Sequence, residues 1–195
     1  MSNLAITVEL RKQAESFIQK KKLESFLQSF GYLFYAGSYA LDLMTWRDID
    51  LQLQLADSSK SIEALKSMLS HFLEDSDTLS AKYINFTHHR KTHMPEGYYL
   101  GLKMFDHDIN QNWKIDIWIL TPHDFQKSRS FMEQIQSKLT DEKKQKITGL
   151  KFKLMGRSDR PPSQSSYHLY QAVFLEEIEH EDEIMNFLRL KGVQC

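Results

Sequence analysis

The stretch Asp48-Ile49-Asp50-Leu51-Gln52-Leu53-Gln54-Leu55 decides how this chain is read. It alternates without a break. Asp48, Asp50, Gln52 and Gln54 fall on one side of a strand; Ile49, Leu51, Leu53 and Leu55 fall on the other. One side is built for a core, and the other opens onto a cleft with two carboxylates on it. Upstream, Tyr32 to Ala36 is a short apolar run fit for a buried strand, and Gly37-Ser38 ends it. Nine residues then separate Ser38 from Asp48. Downstream, Trp113-Lys114-Ile115-Asp116-Ile117-Trp118 alternates again and sets a third carboxylate, Asp116, on the side of Lys114 and Trp118. Mg²⁺ takes oxygen ligands in near-octahedral geometry, usually one or two carboxylates plus substrate phosphates. Gly37 lets backbone N–H groups approach a phosphate closely, and the Ser38 hydroxyl can add to them. The three segments together describe a site for metal-bound phosphates.

Around these segments the pattern alternates between helix and strand. Residues 4 to 30 read as helix, with Leu10, Ala14, Phe17, Ile18, Leu23, Phe26 and Leu27 near helical spacing and Gly31 as a C-cap. Tyr39 to Met44 reads as a short helix. Asp57-Ser58-Ser59 offers an N-cap for a helix to about Leu73. Lys82 to Thr87, Tyr98 to Phe105 and Trp113 to Leu120 read as strands, the last two joined by a turn-rich hairpin. After Thr121-Pro122 the pattern becomes helical, over residues 123 to 155 and again over 164 to 191. Pro161-Pro162 marks the linker between them. The expected fold class is α+β: a mixed β-sheet flanked by helices. The expected division is a catalytic core over 1–120 and a helical region over 121–195 that forms an acceptor or partner surface.

Composition narrows the function classes. The chain has 195 residues, enough for one good core. A net charge of -1 gives no global footprint for nucleic acid, which makes a long polynucleotide track an unfavoured partner. The single cysteine is Cys195, so no intrachain disulfide can form, and a reducing compartment fits. No apolar segment approaches the length needed to span a bilayer, and the first thirty residues carry no signal pattern. The expectation is a cytoplasmic protein without a membrane partner. Its oligomeric state stays open.

The run Ala36-Gly37-Ser38, gap, Asp48-Ile49-Asp50-Leu51 resembles the signature of the nucleotidyltransferase superfamily that shares its core with DNA polymerase β. The resemblance covers about residues 30 to 120. It implies that Gly37 and Ser38 contact phosphate, that Asp48 and Asp50 are paired metal ligands, and that Asp116 is ligand and general base. It implies Mg²⁺ and a nucleoside triphosphate, ATP by preference, as cofactor and co-substrate. In size and layout the chain looks like the aminoglycoside and lincosamide nucleotidyltransferases, which implies nucleotide transfer to a hydroxyl of a small-molecule acceptor. Two alternatives stand beside it: a protein-modifying nucleotidyltransferase of toxin–antitoxin type, and a degenerate nucleotide-binding module.

Other residues carry weaker signals. Arg47 and Lys114 flank the carboxylates and can neutralise phosphate or simply balance nearby acid. His88-His89-Arg90-Lys91-Thr92-His93 is a basic loop; a zinc site on His89 and His93 would need a helix that Pro95-Glu96-Gly97 opposes. Lys143, Lys144, Lys146, Lys151 and Lys153 read mostly as a solvated face. Tyr167, Tyr170 and Phe174 share helical spacing and read as core before stacking surface. Glu176 to Glu183 is an acidic run, read as a solvated helix end or as the receiver of a polycationic acceptor.

Overall fold

The computed structural model describes residues 3–89, 91, 94–156, 160–162 and 164–194. The chain is α+β, as expected, with a mixed five-stranded sheet. The strands are β1 (Gly31–Ala36), β2 (Asp48–Leu55), β3 (Thr78–Asn85), β4 (Gly97–Asp106) and β5 (Gln111–Leu120). Their order across the sheet is β1-β2-β5-β4-β3. β2 runs parallel to β5, and every other pairing is antiparallel. The helices are α1 (Asn3–Lys20), α2 (Leu23–Gln28), α3 (Gly37–Ala40), α4 (Ser61–Glu74), α5 (Pro122–Ser137), α6 (Asp141–Met155), α7 (Ser165–Tyr170) and α8 (Glu181–Leu190). Among the described residues, no helix is long and apolar enough to cross a membrane.

The chain divides into two compact units. One comprises Gln13–Ala36 and Arg47–Arg129 and contains the whole sheet. Its core is the apolar face that the alternation of β2 and β5 foretells. Ile49 pairs with Ile115, Leu51 with Ile117 and Leu53 with Ile119, and Leu100, Leu102 and Met104 of β4 continue the layer; all are buried. Phe17 stacks on Trp113 with ring centroids 5.5 Å apart, which fastens α1 to that face. Phe26 of α2 meets Phe72 of α4 edge-on, closing the layer above. Complete burial of side chains of this size contributes about 1.5–3 kcal/mol each. The helical pattern of residues 4 to 30 is broken at Lys22, whose φ of 51° is left-handed. Gly31 opens β1 instead of capping a helix. A Cβ there would lie 2.2 Å from the Gln54 carbonyl oxygen of the paired strand, so the glycine serves close strand approach. β3 begins earlier than its sequence suggests, because its pairing with β4 starts at Thr78 opposite Met104.

The other unit comprises Met1–Lys12, Gly37–Trp46 and Ser130–Cys195. Thr140 caps α6 by accepting from the Lys143 N–H. The segment read as one helix over 164 to 191 is α7, a π-helical turn over Gln171–Leu175, and α8. Tyr170 and Phe174 are buried while Tyr167 is exposed, so two of the three aromatics are core. Lys151 departs from the solvated reading of its neighbours. It is fully buried, and its Nζ donates to the Leu43 carbonyl at 2.7 Å. The acidic run is engaged locally: Glu177 pairs with Lys138 at 2.8 Å, Glu181 pairs with Lys153, and the Glu179 carbonyl accepts from Lys146.

Candidate functional site

The opposite face of the sheet carries the chemistry. Asp48 starts β2, and its alternate partner Asp50 lies directly across from Asp116 in the parallel β2–β5 pair. Lys114 lies across from Asp48. Ile115 and Ile117 bury themselves on the core side, so the pleat turns Asp116 outward to the open face. One carboxylate oxygen from each of Asp48, Asp50 and Asp116 comes within 4.8 Å of the others. Among the described residues this is the one cluster of three or more His, Cys, Asp or Glu side chains close enough to hold a metal ion.

Lys114 is threaded into the cluster. Its Nζ lies 3.0 Å from Asp48 Oδ1 and 2.5 Å from Asp116 Oδ2. Asp48 and Asp116 are only 13% exposed at their side chains, against 34% for Lys114. The electrostatics follow from crowding like charges where water is scarce. Burial, then the charge of Asp50, pushes the Asp48 carboxyl well above the usual carboxylate range. Burial alone would lower the Lys114 ammonium, but Asp48 and Asp116 outweigh it and hold the group above its ordinary value. Three carboxylates crowded together concentrate negative charge at this point of the sheet. A hard divalent cation with oxygen preference matches both that charge and the all-carboxylate donor set.

Tyr99 of β4 completes the arrangement. Its hydroxyl donates to Asp116 Oδ1 at 2.9 Å, and burial, then the charge of Asp116, raises its pKa. Gly101, directly across from Asp116, makes this contact sterically feasible. A Cβ at that position would lie 2.3 Å from the Tyr99 hydroxyl oxygen. Neither Tyr99 nor Gly101 stands out in the sequence, because their part depends on β4 pairing with β5. Their one signal is the hairpin between residues 98 and 120.

The remaining expected residues fall as follows. Ala36, the last residue of β1, pairs with Asp50. Gly37 and Ser38 follow it in sequence and belong to the helical unit; Gly37 has a left-handed φ of 61°, and Ser38 is buried with its carbonyl accepting from the Leu43 N–H at 2.9 Å. Arg47 donates from Nη2 to Gln13 Oε1 at 2.9 Å, and burial lowers its pKa. In the basic loop His88 and His89 are exposed, and the Asn85 side chain accepts from the N–H groups of Thr87 and His88. Arg90, Thr92 and His93 lie outside the described residues, and so does Cys195.

No protein-family model matches the chain, and no curated protein matches it in sequence. Solved structures do resemble it distantly. The poly(A) polymerase complex GLD-2–GLD-3 is 12% identical with a TM-score of 0.38; the match covers 86% of this chain and 42% of that one. A GTP pyrophosphokinase family protein from Streptococcus pneumoniae is 13% identical with a TM-score of 0.37, covering 94% and 91%. A GLD-2/RNP-8 complex is 13% identical with a TM-score of 0.37, covering 85% and 64%. The chain thus spans less than half the length of the first of these. Likeness this distant carries nothing about activity by itself.

Proposed function

We propose that this chain is a Mg²⁺-dependent nucleotidyltransferase that moves a nucleoside monophosphate, AMP from ATP by preference, onto a hydroxyl of a small-molecule acceptor. The observation that carries the reading is the convergence of Asp48, Asp50 and Asp116 within 4.8 Å on the open face of a mixed sheet. The sequence pattern around Gly37-Ser38 and Asp48-Ile49-Asp50 supports it, and assigns phosphate contacts to Gly37 and Ser38.

In this reading Asp48, Asp50 and Asp116 supply the oxygen ligands. A Mg²⁺ held there would supply positive charge to offset that of the triphosphate and of the departing pyrophosphate. Lys114 keeps the carboxylates together in the metal-free protein and brings a positive charge to the phosphates once they arrive. Asp116 takes the proton of the acceptor hydroxyl. The acceptor oxygen forms a bond to the α-phosphorus, the bond from that phosphorus to the α–β bridging oxygen breaks, and pyrophosphate leaves with the electron pair. Tyr99 fixes one oxygen of Asp116 by donating to it. The other oxygen, Oδ2, is the one Lys114 holds in the metal-free protein.

The test is label transfer. α-³²P-ATP, Mg²⁺ and a panel of hydroxyl-bearing compounds, aminoglycosides and lincosamides among them, are incubated with the wild-type chain and with Asp50→Asn. The reading expects label in an acceptor, one pyrophosphate released per label, and loss of both in the variant. Transfer that survives Asp50→Asn, or ATP turnover that releases inorganic phosphate and leaves the acceptor unlabelled, contradicts it.

A further inference from the structure

The carboxylates form one row across the sheet, and the row beside it has a different character. The first row reads Ala36, Asp50, Asp116, Gly101 from β1 to β4. The next row, one pleat further along β2, reads Phe34, Gln52, Trp118, Tyr99. Residues two apart on a strand share a face, so these four side chains stand on the same face as the carboxylates, where Phe125 and Arg129 of α5 cover Phe34. The spacing between the rows is about 6.6 Å. All four residues are half-buried. Tyr99 and Trp118 lie with ring centroids 4.9 Å apart, and Phe86 backs Trp118 at 5.3 Å in a stacked arrangement. At the β1 end, Phe125 meets the edge of Phe34 at 6.2 Å.

Gln52 stands among these rings with its Oε1 shut off from solvent and accepting no hydrogen bond. Buried acceptors in native proteins are nearly always paired, so one that is not asks for an explanation. Of its strand neighbours Phe34 and Trp118, only the indole carries a side-chain donor, and the Arg129 guanidinium of α5 lies 5.9 Å over the Phe34 ring. The terminal amide turns easily about its last torsion. A ligand that stacked on Trp118 and carried an N–H in its ring plane would satisfy it.

We infer that the row Phe34, Gln52, Trp118, Tyr99 is the subsite for a nucleobase, whose ring rests on Trp118 and whose N–H donates to Gln52 Oε1. The inference rests on the transferase reading for the phosphate end of the ligand. The platform is the row next to the carboxylates, a spacing that suits a group joined through a ribose to phosphate held at Asp50 and Asp116. Every base offers a π-face for stacking and a ring-plane N–H. The base belongs either to the donor triphosphate or to a nucleoside acceptor.

Calorimetry separates the cases. Mg²⁺-tripolyphosphate, each of the four Mg²⁺-nucleoside triphosphates, and each nucleoside added to protein saturated with Mg²⁺-tripolyphosphate are titrated into wild type, Asp50→Asn, Trp118→Leu and Gln52→Leu. Tripolyphosphate binding is expected to be lost in Asp50→Asn and kept in the other two variants, which also reports that they are folded. Trp118→Leu is expected to weaken base-bearing ligands about five- to hundredfold. That loss falls on the triphosphates if the base is the donor's, and on the nucleosides alone if it is the acceptor's. Gln52→Leu is expected to melt no lower than wild type and still to bind the base more weakly, a split that a purely structural glutamine would not give. The inference is overturned if tripolyphosphate binds through Asp50 while Trp118→Leu changes neither triphosphate nor nucleoside affinity. If tripolyphosphate binding ignores Asp50, the transferase reading fails; Trp118-dependent nucleotide binding would then uphold the subsite alone, and its absence would sink both.

Discussion

Replacing Asp48 with Asn should stabilise the metal-free protein while removing its response to metal. Asp48 is half-buried at the start of β2, and its carboxylate lies within 4.8 Å of those of Asp50 and Asp116. At an effective dielectric near 20, each such repulsion is about 3.5 kcal/mol. The Lys114 ammonium at 3.0 Å returns about 5.5 kcal/mol on the same scale. The balance disfavours the charged form by roughly 1–2 kcal/mol, and burial adds to it, in agreement with the raised pKa. Asn keeps the shape and drops the charge. For a chain of this length each kcal/mol moves Tm by about 2–4 °C, so Asp48→Asn should melt roughly 2–8 °C higher in EDTA at pH 7. The sign has a pH consequence. A carboxyl raised on folding binds its proton more tightly in the native state, so its stability cost grows as pH rises from the unfolded value through the folded one. The difference between variant and wild type should therefore be largest at neutral pH and vanish near pH 4. Scanning calorimetry in EDTA and in Mg²⁺ with ATP reads both effects, and wild type alone should gain from the ligands. A variant that melts lower than wild type in EDTA, or gains as much from Mg²⁺ and ATP, refutes the reasoning.

Three further outcomes follow from the same geometry. Asp116→Asn should lower turnover far more than nucleotide affinity if Asp116 is the base; equal loss in steady-state kinetics and calorimetry would make it chiefly a ligand. Gly101→Ala should displace the Tyr99 ring, whose hydroxyl oxygen lies 2.3 Å from the added Cβ, and so cost turnover with a stability loss of only about 1 kcal/mol; unchanged kcat would show that the Tyr99–Asp116 bond is idle. Lys114→Met should raise Mn²⁺ affinity in the absence of nucleotide, because it removes the ammonium that competes for Asp48 and Asp116; weaker Mn²⁺ binding in a paramagnetic resonance titration would contradict that.

The part of this molecule that is legible in sequence is the part governed by local period. Asp48-Ile49-Asp50-Leu51 and Ile115-Asp116-Ile117 announce strands with one buried and one open face, and both are so. The α+β class follows from the same patterns. Long-range pairing is not written locally. Nothing near Lys114 says that it will face Asp48, and nothing near Tyr99 says that it will reach Asp116; both depend on β5 lying between β2 and β4. The break at Lys22 was hidden because a left-handed lysine carries no glycine or proline mark. Lys151 was hidden among lysines that do face water, since only tertiary packing decides that one of them donates to Leu43. The orphaned Gln52 reads in sequence as an ordinary polar residue of an exposed face. The rings of its own row come from three other strands.

The most direct measurement is a crystal structure of the chain grown with Mn²⁺ and a non-hydrolysable α,β-methylene nucleotide, with anomalous scattering collected at the manganese edge. The account predicts anomalous density among Asp48, Asp50 and Asp116, carboxylate oxygens at about 2.1 Å, and phosphate oxygens completing the coordination. Nucleotide bound elsewhere, or a triad still bridged by Lys114 with no metal density beside it, would contradict it.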